Sequence, residues 1–442
     1  MRVAVVGTGY VGLTTAVCFA SRGHQIKCVD IDESKIGKIN SGVSPIFEEG
    51  MDSLLKEVVE SGRLTASSDL GNAVLDSDLS FICVGTPALE DGSIDLSQVR
   101  DVSVSIGKTL KNHDRRYVVV IKSTVLPGTS ESVVIPELEE NSGLKVAKGF
   151  GVCVNPEFLR EGQAISDFLN PKNTGIVIGE SDTESGDVLA KLYTGFNGPV
   201  LRTFLRTAEM IKYARNAYLA KDVSFANEIA NVCSAFSIDY LDVKKGMEMD
   251  SRIGAGGFLL AGLGYGGSCF KKDVSAIIKK AEHKGIIPQL LKATDEVNEL
   301  QPVVLLNIAK KTLGNLNEKK IAVLGLSFKE GTDDVRESRA MKIIQLLIAA
   351  ESKVIVFDPI AMNNAKMMLA GKVSYAETAE EALSNCNACI IATEWPEFGN
   401  PDLYSNKTGL IVIDGRRILD WKSLPENIRY YGIGFPILNN GV

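Results

Sequence analysis

The chain has 442 residues, too many for one ordinary core of roughly 100–200 residues, so two or three domains are expected. Hydrophobic residues at 45% and charged residues at 23% are ordinary for a globular protein and exclude a disordered or fibrous chain. A formal net charge of −7 argues against a nucleic-acid groove, which needs clustered Lys and Arg to displace counterions from phosphates.

Met1 leads directly into the apolar run Val3-Ala4-Val5-Val6, without a charged n-region, long apolar stretch or cleavage site before it. Nor does any apolar run of roughly 20 residues occur, so a cytoplasmic protein with no membrane partner is expected. Of the eight cysteines, Cys18, Cys28, Cys83 and Cys153 lie in apolar segments, where a reduced thiol behaves as a small hydrophobe. A disulfide framework is therefore not expected. Cys386 and Cys389 form a CxxC with no second Cys or His pair to complete a metal site, and they are read as structural.

In chain order, residues 2–7 read as a β-branched strand, 9–21 as a helix and 26–30 as a second strand, which together make a βαβ unit. Strand-like runs follow at 79–84, 117–121 and 151–154, and the alternation predicts a doubly wound parallel sheet. Residues 207–236 contain few helix breakers and are expected to form one long helix joining two domains. A second helical stretch covers 288–314, after which strands at 320–324, 354–357, 388–392 and 410–413 and a helix at 341–349 predict a smaller α/β sheet. Ile321-Ala322-Val323-Leu324-Gly325 echoes Val3-Ala4-Val5-Val6-Gly7, so the halves look like diverged copies of one design.

Gly7-Thr8-Gly9-Tyr10-Val11-Gly12 is a GxGxxG between a predicted strand and a predicted helix, the context in which glycines allow a tight turn, close approach of pyrophosphate and close helix packing. Asp30 ends the second strand, where an acid hydrogen-bonds ribose hydroxyls and repels a 2′-phosphate. NAD is therefore expected over NADP, although the nearby Lys35 could partly offset that repulsion. The expected architecture is two Rossmann-like α/β domains joined by a long central helix and helical middle region, with boundaries 1–200, 201–312 and 313–442. The second half replaces the second and third glycines, at Gly325-Leu326-Ser327-Phe328-Lys329-Glu330, so no dinucleotide is expected there. Its cations Lys329, Arg336 and Arg416 suit a phosphorylated ligand at the strand ends, or are solvated surface charges.

Residues 262–273 read GLGYGGSCFKKD, and such glycine density is costly unless the backbone needs unusual dihedrals or close ligand approach. Cys269 ends this loop near Lys272 and Asp273; adjacent cations favour a thiolate, and a thiolate attacks aldehydes. Four residues apart on the central helix, Lys212 and Asn216 share a face that could stabilise an oxyanion or simply be solvated. Thr124 and Glu157 follow predicted strands of the first domain. Glu157 could be a general base if desolvated and Thr124 could orient water, or either could cap its loop.

The motifs GTGYVG, VGTP, STV, NPEFLREG, AEMIKYARNAYLA, GYGGSCFKKD, FKEGTDDVRES and DGRR occur in this order, and the chain resembles the UDP-glucose/GDP-mannose dehydrogenase family, most closely its UDP-glucose-oxidising branch. The resemblance implies a nucleotide-sugar 6-dehydrogenase: two successive oxidations with two NAD⁺ and water, through a thiohemiacetal and then a thioester at Cys269. It implies that Glu157 activates water for hydrolysis, that Thr124 and Asp273 position this water, and that Lys212 and Asn216 stabilise oxyanions. It also implies NAD contacts from Gly7, Gly9, Tyr10, Val11, Gly12, Asp30, Lys35, Thr86, Thr124, Glu161, Lys272 and Arg336. For the nucleotide sugar it implies contacts from Glu157, Phe158, Leu159, Arg160, Glu161, Lys212, Asn216, Phe258, Leu259, Gly266, Lys329 and Arg416. Arg252 would come from the partner subunit of a homodimer. Lys271 stands where many relatives have Pro, and Leu260 where many are polar; these departures bear on which sugar is read, with GDP-mannose and UDP-N-acetyl sugars as the alternatives to UDP-glucose. Outside that chemistry, a two-electron hydroxyacid dehydrogenase needing no thiol and a catalytically silent NAD-binding protein are the competing readings.

Overall fold

The computed structural model of the chain describes residues 1–89, 91–113, 115–253 and 258–436. It divides into two units, Met1–Arg215 and Asn216–Val442.

The first unit is built on eight strands, β1 (Arg2–Val6), β2 (Gln25–Val29), β3 (Leu64–Ser67), β4 (Leu79–Ile82), β5 (Tyr117–Ile121), β6 (Phe150–Val154), β7 (Ile176–Glu180) and β8 (Val200–Phe204), in the order β3-β2-β1-β4-β5-β6-β7-β8. Strands β1 to β6 run parallel, as the βαβ pattern predicts. The chain then reverses: β7 pairs antiparallel with β6, and β8 pairs parallel with β7. This extension and β3 escape the sequence pattern because β3 has four residues with two apolar positions, and β8 is partly exposed and carries Arg202 and Thr203. Strands β4, β5 and β6 are buried at every position, as a sheet covered on both faces requires. On one face Val3, Val5, Phe81, Val118 and Val120 pack with Leu13 and Val17; on the other Ile82, Val119, Ile121 and Val152 pack with Val99, Ile106 and Leu138.

In the second unit six parallel strands, β9 (Lys320–Leu324), β10 (Lys353–Phe357), β11 (Ser374–Tyr375), β12 (Ala388–Ile391), β13 (Ile411–Asp414) and β14 (Arg429–Gly432), take the order β11-β10-β9-β12-β13-β14. That is the order of β3-β2-β1-β4-β5-β6, so the repeat visible in sequence is also topological. Gly7 and Gly325 follow equivalent strands with φ of +94° and +91°. Each donates its N–H over 2.8 Å to the carbonyl that ends the adjacent strand, Val29 or Phe357.

Helix Leu205–Ala235 is continuous through the boundary between the units. Its early residues Leu205 and Ala208 join the first core, while Ala226 and Ala230 join the core beneath β9 and β13. Helices Gly267–His283 and Gln289–Leu313 follow. Among the described residues no helix is long and apolar enough to cross a membrane.

Candidate active site

Gly7 and Gly12 are dictated by packing. A Cβ at Gly7 would lie 2.9 Å from the Cys83 carbonyl oxygen, and one at Gly12 would lie 1.8 Å from the Gly7 carbonyl oxygen. Gly9 differs, because a Cβ there meets nothing within 4 Å. Gly9 caps helix Tyr10–Ser21, which has no side-chain cap and no acid in its first turn, so the positive end of the helix fits a pyrophosphate. Asp30 steadies this loop, its Oδ2 accepting the Thr8 N–H at 2.7 Å and the Thr8 hydroxyl at 2.5 Å. Burial works to raise the Asp30 carboxyl, but those hydrogen bonds and Lys35 hold it below its ordinary value, leaving an acceptor for a ribose hydroxyl. Thr86 donates to the Thr124 carbonyl at 2.9 Å and joins the loops after β4 and β5.

The loop after β6 brings Glu157 to Lys212. The Lys212 ammonium donates to Glu157 Oε1 at 2.6 Å and to the Glu157 carbonyl at 2.9 Å, both side chains being buried. Leu159 N–H donates to the second carboxylate oxygen at 2.7 Å. Glu157 is thus desolvated, as a base on this loop would be, but it is also ion-paired. Burial pushes its carboxyl up, but Lys212, the Leu159 N–H and Lys122 together hold it below the usual carboxylate range. Arg160 is committed to Asp167 through two guanidinium bonds of 2.9 and 2.6 Å, a local brace for the loop. Phe158 lies 3.7 Å from the Arg215 guanidinium, measured to the ring centroid, and Leu159 is half-buried beside it. Glu161 lies close enough to Tyr10 to act on its hydroxyl electrostatically.

Two residues missed by sequence reasoning hold this loop from behind. Lys122, fully buried, donates to Asn155 Oδ1 at 2.9 Å beside the rings of Phe81 and Phe168, and burial pushes its ammonium down to about 8. Glu48, also buried, accepts the Gly162 N–H and the Ala164 N–H, each at 2.7 Å, and the Tyr10 hydroxyl. No local motif marks either one: Glu48 is one of two adjacent acids and Lys122 follows an apolar strand, and neither pattern tells which charge is buried.

In the second unit Cys269 is exposed, as a nucleophile must be, and is the third residue of helix Gly267–His283. That helix too lacks a side-chain cap and a first-turn acid, so its positive end favours a thiolate. The ammonium of Lys272, expected to serve that purpose, is instead paired with Asp273 Oδ1 at 2.6 Å. Asp273 is buried and also accepts from Asn216 Nδ2 at 2.6 Å, so Lys272, Asp273 and Asn216 form one cluster. The glycines before Cys269 serve close backbone packing: a Cβ at Gly264 would lie 2.3 Å from Asn298 Oδ1, and one at Gly266 would lie 2.6 Å from the Glu337 carbonyl oxygen. Phe258 is exposed and stacks edge-on with Phe270, while the carbonyl of buried Leu259 accepts from the Tyr240 hydroxyl. Lys271 pairs with Asp295 at 2.8 Å and Glu299 at 3.0 Å.

At the ends of β9 and β13, Arg416 donates to the Ala392 carbonyl at 2.7 Å and the Phe328 carbonyl at 3.1 Å, while Lys329 stands 5.9 Å from the centre of the Phe328 ring. Both sit at the carboxyl edge, where ligands of parallel sheets bind. Arg336 and Arg252 extend from the surface, braced by Asp334 and Asp250. Cys386 donates to the Ala382 carbonyl and Cys389 is buried in β12; among the described residues no cluster of His, Cys, Asp and Glu could hold a metal.

Comparison with known proteins accounts for both sheets and the helices between them. Residues 1–197 match the NAD binding domain of the UDP-glucose/GDP-mannose dehydrogenase family, 206–300 its central domain and 322–421 its UDP binding domain. The chain belongs to this family. The UDP-glucose 6-dehydrogenase AglM of Haloferax volcanii is 43% identical over 436 residues, covering 96% of this chain and 100% of that protein. A UDP-glucose dehydrogenase structure from Pyrobaculum islandicum is 38% identical with a TM-score of 0.92, covering 98% of this chain and 97% of that one. A UDP-D-ManNAc dehydrogenase structure from Pyrococcus horikoshii is 30% identical with a TM-score of 0.83, covering 98% and 99%. Membership identifies the cofactor of the glycine loop as NAD and makes the chain an oxidoreductase of nucleotide sugars.

Proposed function

We propose that this family member oxidises the primary alcohol of UDP-glucose to the carboxylate of UDP-glucuronate. The observation that carries this reading is the exposed Cys269 at the positive end of an uncapped helix, four residues before the Asp273–Asn216 pair. NAD supplies the hydride acceptor for each oxidation. Lys212 and Asn216 hold the negative charge of the alkoxide and of later tetrahedral oxyanions. Cys269 Sγ adds to the carbonyl carbon of the first product to give a thiohemiacetal, and loss of a second hydride leaves a thioester. Water, oriented by Thr124 and Asp273, gives a proton to Glu157 and displaces the thiolate. One alcohol, one water and two NAD⁺ become one carboxylate, two NADH and three protons. As Lys212 moves from Glu157 to the developing oxyanion, the carboxylate recovers the basicity that its burial favours.

In this reading residues 1–200 bind NAD, 201–312 carry the thiol and the dimer face, and 313–442 hold the uridine diphosphate through Lys329 and Arg416. Asp30 takes the adenosine ribose, with Tyr10, Val11, Lys35, Thr86, Glu161, Lys272 and Arg336 around the cofactor, while Phe158, Leu159, Arg160, Phe258, Leu259 and Gly266 line the sugar side. The enzyme works as a homodimer, since Tyr218, Phe225 and Val232 recur every seven residues as an exposed apolar stripe on helix Leu205–Ala235. Arg252, exposed beyond that helix, reaches the partner's site. None of the eight cysteines is in a disulfide, which agrees with the reducing cytoplasm.

A UDP-N-acetyl sugar is the second reading, favoured by the likeness to the Pyrococcus horikoshii UDP-D-ManNAc dehydrogenase. An NADH-release assay across UDP-glucose, UDP-N-acetylmannosamine and GDP-mannose tests both. Two NADH per UDP-glucose consumed, with carboxylate as product, are expected; one NADH with a free carbonyl product defeats the four-electron route.

A further inference from the structure

We propose that Glu48 is a positioning residue that locks the cofactor loop to the loop carrying Glu157 and Glu161, so that NAD binding and the placement of those acids are coupled. This rests on the function proposed above and adds to it a residue outside both loops.

Glu48 lies just before helix Met51–Glu60, which is anchored in the first core by Met51, Leu55 and Val58; the Met51 N–H donates to the Glu48 carbonyl at 3.1 Å, so the backbone of Glu48 is fixed by its own side of the fold. Its carboxylate is buried, and both of its oxygens are used. Oε1 accepts the Ala164 N–H at the start of helix Ala164–Leu169, and Oε2 accepts the Gly162 N–H. The same Oε2 accepts the hydroxyl of Tyr10, which in turn accepts from the Gly162 N–H at 3.1 Å. Tyr10 is the first residue of the helix that Gly9 caps, and Gly162 closes the segment that begins at Glu157. One carboxylate thus joins the point where the pyrophosphate would sit to the far end of the acid loop. A cap for the short helix would need only the two backbone bonds; the third, to Tyr10, is what ties it to the cofactor loop. Burial, reinforced by Glu48, raises the Tyr10 hydroxyl well above its ordinary value, so the phenol keeps its proton and remains the donor.

Glu48→Gln replaces one acceptor with an NH₂ that must face a backbone donor, and Tyr10→Phe removes the hydroxyl alone. NADH affinity by fluorescence titration, KM for NAD⁺, kcat and unfolding temperature are measured for both variants and the double variant. Glu48→Gln is expected to weaken NADH binding and raise KM for NAD⁺ by about tenfold, about the worth of one charge-assisted bond. Tyr10→Phe should do so by about threefold, and the double variant should be no worse than Glu48→Gln, because both act through one contact. A Glu48→Gln enzyme that melts earlier yet keeps NADH affinity and NAD⁺ KM within about twofold of the parent overturns the proposal, as do effects that multiply in the double variant. NADH affinity is read without turnover, so a parent enzyme inactive on UDP-glucose would count against the assigned reaction and leave this measurement decisive for Glu48.

Discussion

At the scale of single residues, buried charge governs the site. Glu157 and Lys212 neutralise one another, so removing Lys212 takes the ion pair from the buried Glu157 carboxylate and leaves it the Leu159 N–H and the field of Lys122. Lys212→Met is expected to cost roughly 3–5 kcal/mol of stability at neutral pH, and Glu157→Gln added to it should recover part of the loss. The pH dependence has a definite sign: the Glu157 carboxyl lies below its ordinary value in the folded protein, so the stability it contributes is present at neutral pH and is lost as pH falls through the folded value. The deficit of Lys212→Met, followed by urea unfolding, should therefore shrink in acid. Lys122 behaves in the opposite sense. Its folded value of about 8 lies below the unfolded one, so folding bears the cost of its charge at neutral pH and sheds it as pH rises through about 8. Asn155 would keep the Tyr193 hydroxyl as donor if Lys122 were replaced. Lys122→Met should accordingly compare more favourably with the parent at neutral pH than above about pH 10, by an amount on the order of 3 kcal/mol. Cys269→Ser keeps the fold and should reduce NADH formation by about a thousandfold or more, since a hydroxyl is a poor nucleophile at neutral pH.

At the scale of elements, the glycine turn separates packing from binding. Gly12→Ala would drive a Cβ into the Gly7 carbonyl and should destabilise the first unit, whereas Gly9→Ala has room for its Cβ. Gly9→Ala should melt within about 1 kcal/mol of the parent, because its extended backbone suits alanine, and still lose more than about tenfold in NAD affinity if the pyrophosphate approaches there. Thermal melts beside NADH titrations check the pair; equal melting losses would mean that Gly9 serves packing as well. Helix Gly267–His283 makes a related point. Glycine density marked the segment before Cys269 as unusual; the structure adds that the thiol stands at an uncapped helix end and that Lys272 is paired with Asp273.

At the scale of the whole molecule, the proposed homodimer has a direct test. If Arg252 acts across the interface, mixing Arg252→Ala with Cys269→Ser subunits and allowing exchange should restore activity, because one site of each mixed dimer then holds both residues. Two residues acting within one subunit would give no recovery. Phe225→Glu places a charge in the exposed apolar stripe and should shift the protein to monomers in sedimentation velocity.

The sequence by itself determined the central strands of both sheets, the long helix and the cofactor loop, because these depend on local periodicity and on glycines at set spacing, which neighbouring residues carry. Strand β8 was invisible to it, for an edge strand with exposed faces loses the apolar pattern. Only the tertiary structure decided which charges are spent: Arg160 on Asp167, Lys272 on Asp273, and Lys212 on Glu157. It alone brought Glu48 to Tyr10 and Gly162, and Lys122 to Asn155. The energy of a charge depends on what burial strips from it and what partner replaces the water, and the partners of Glu48, Lys122 and Lys212 are remote in the chain.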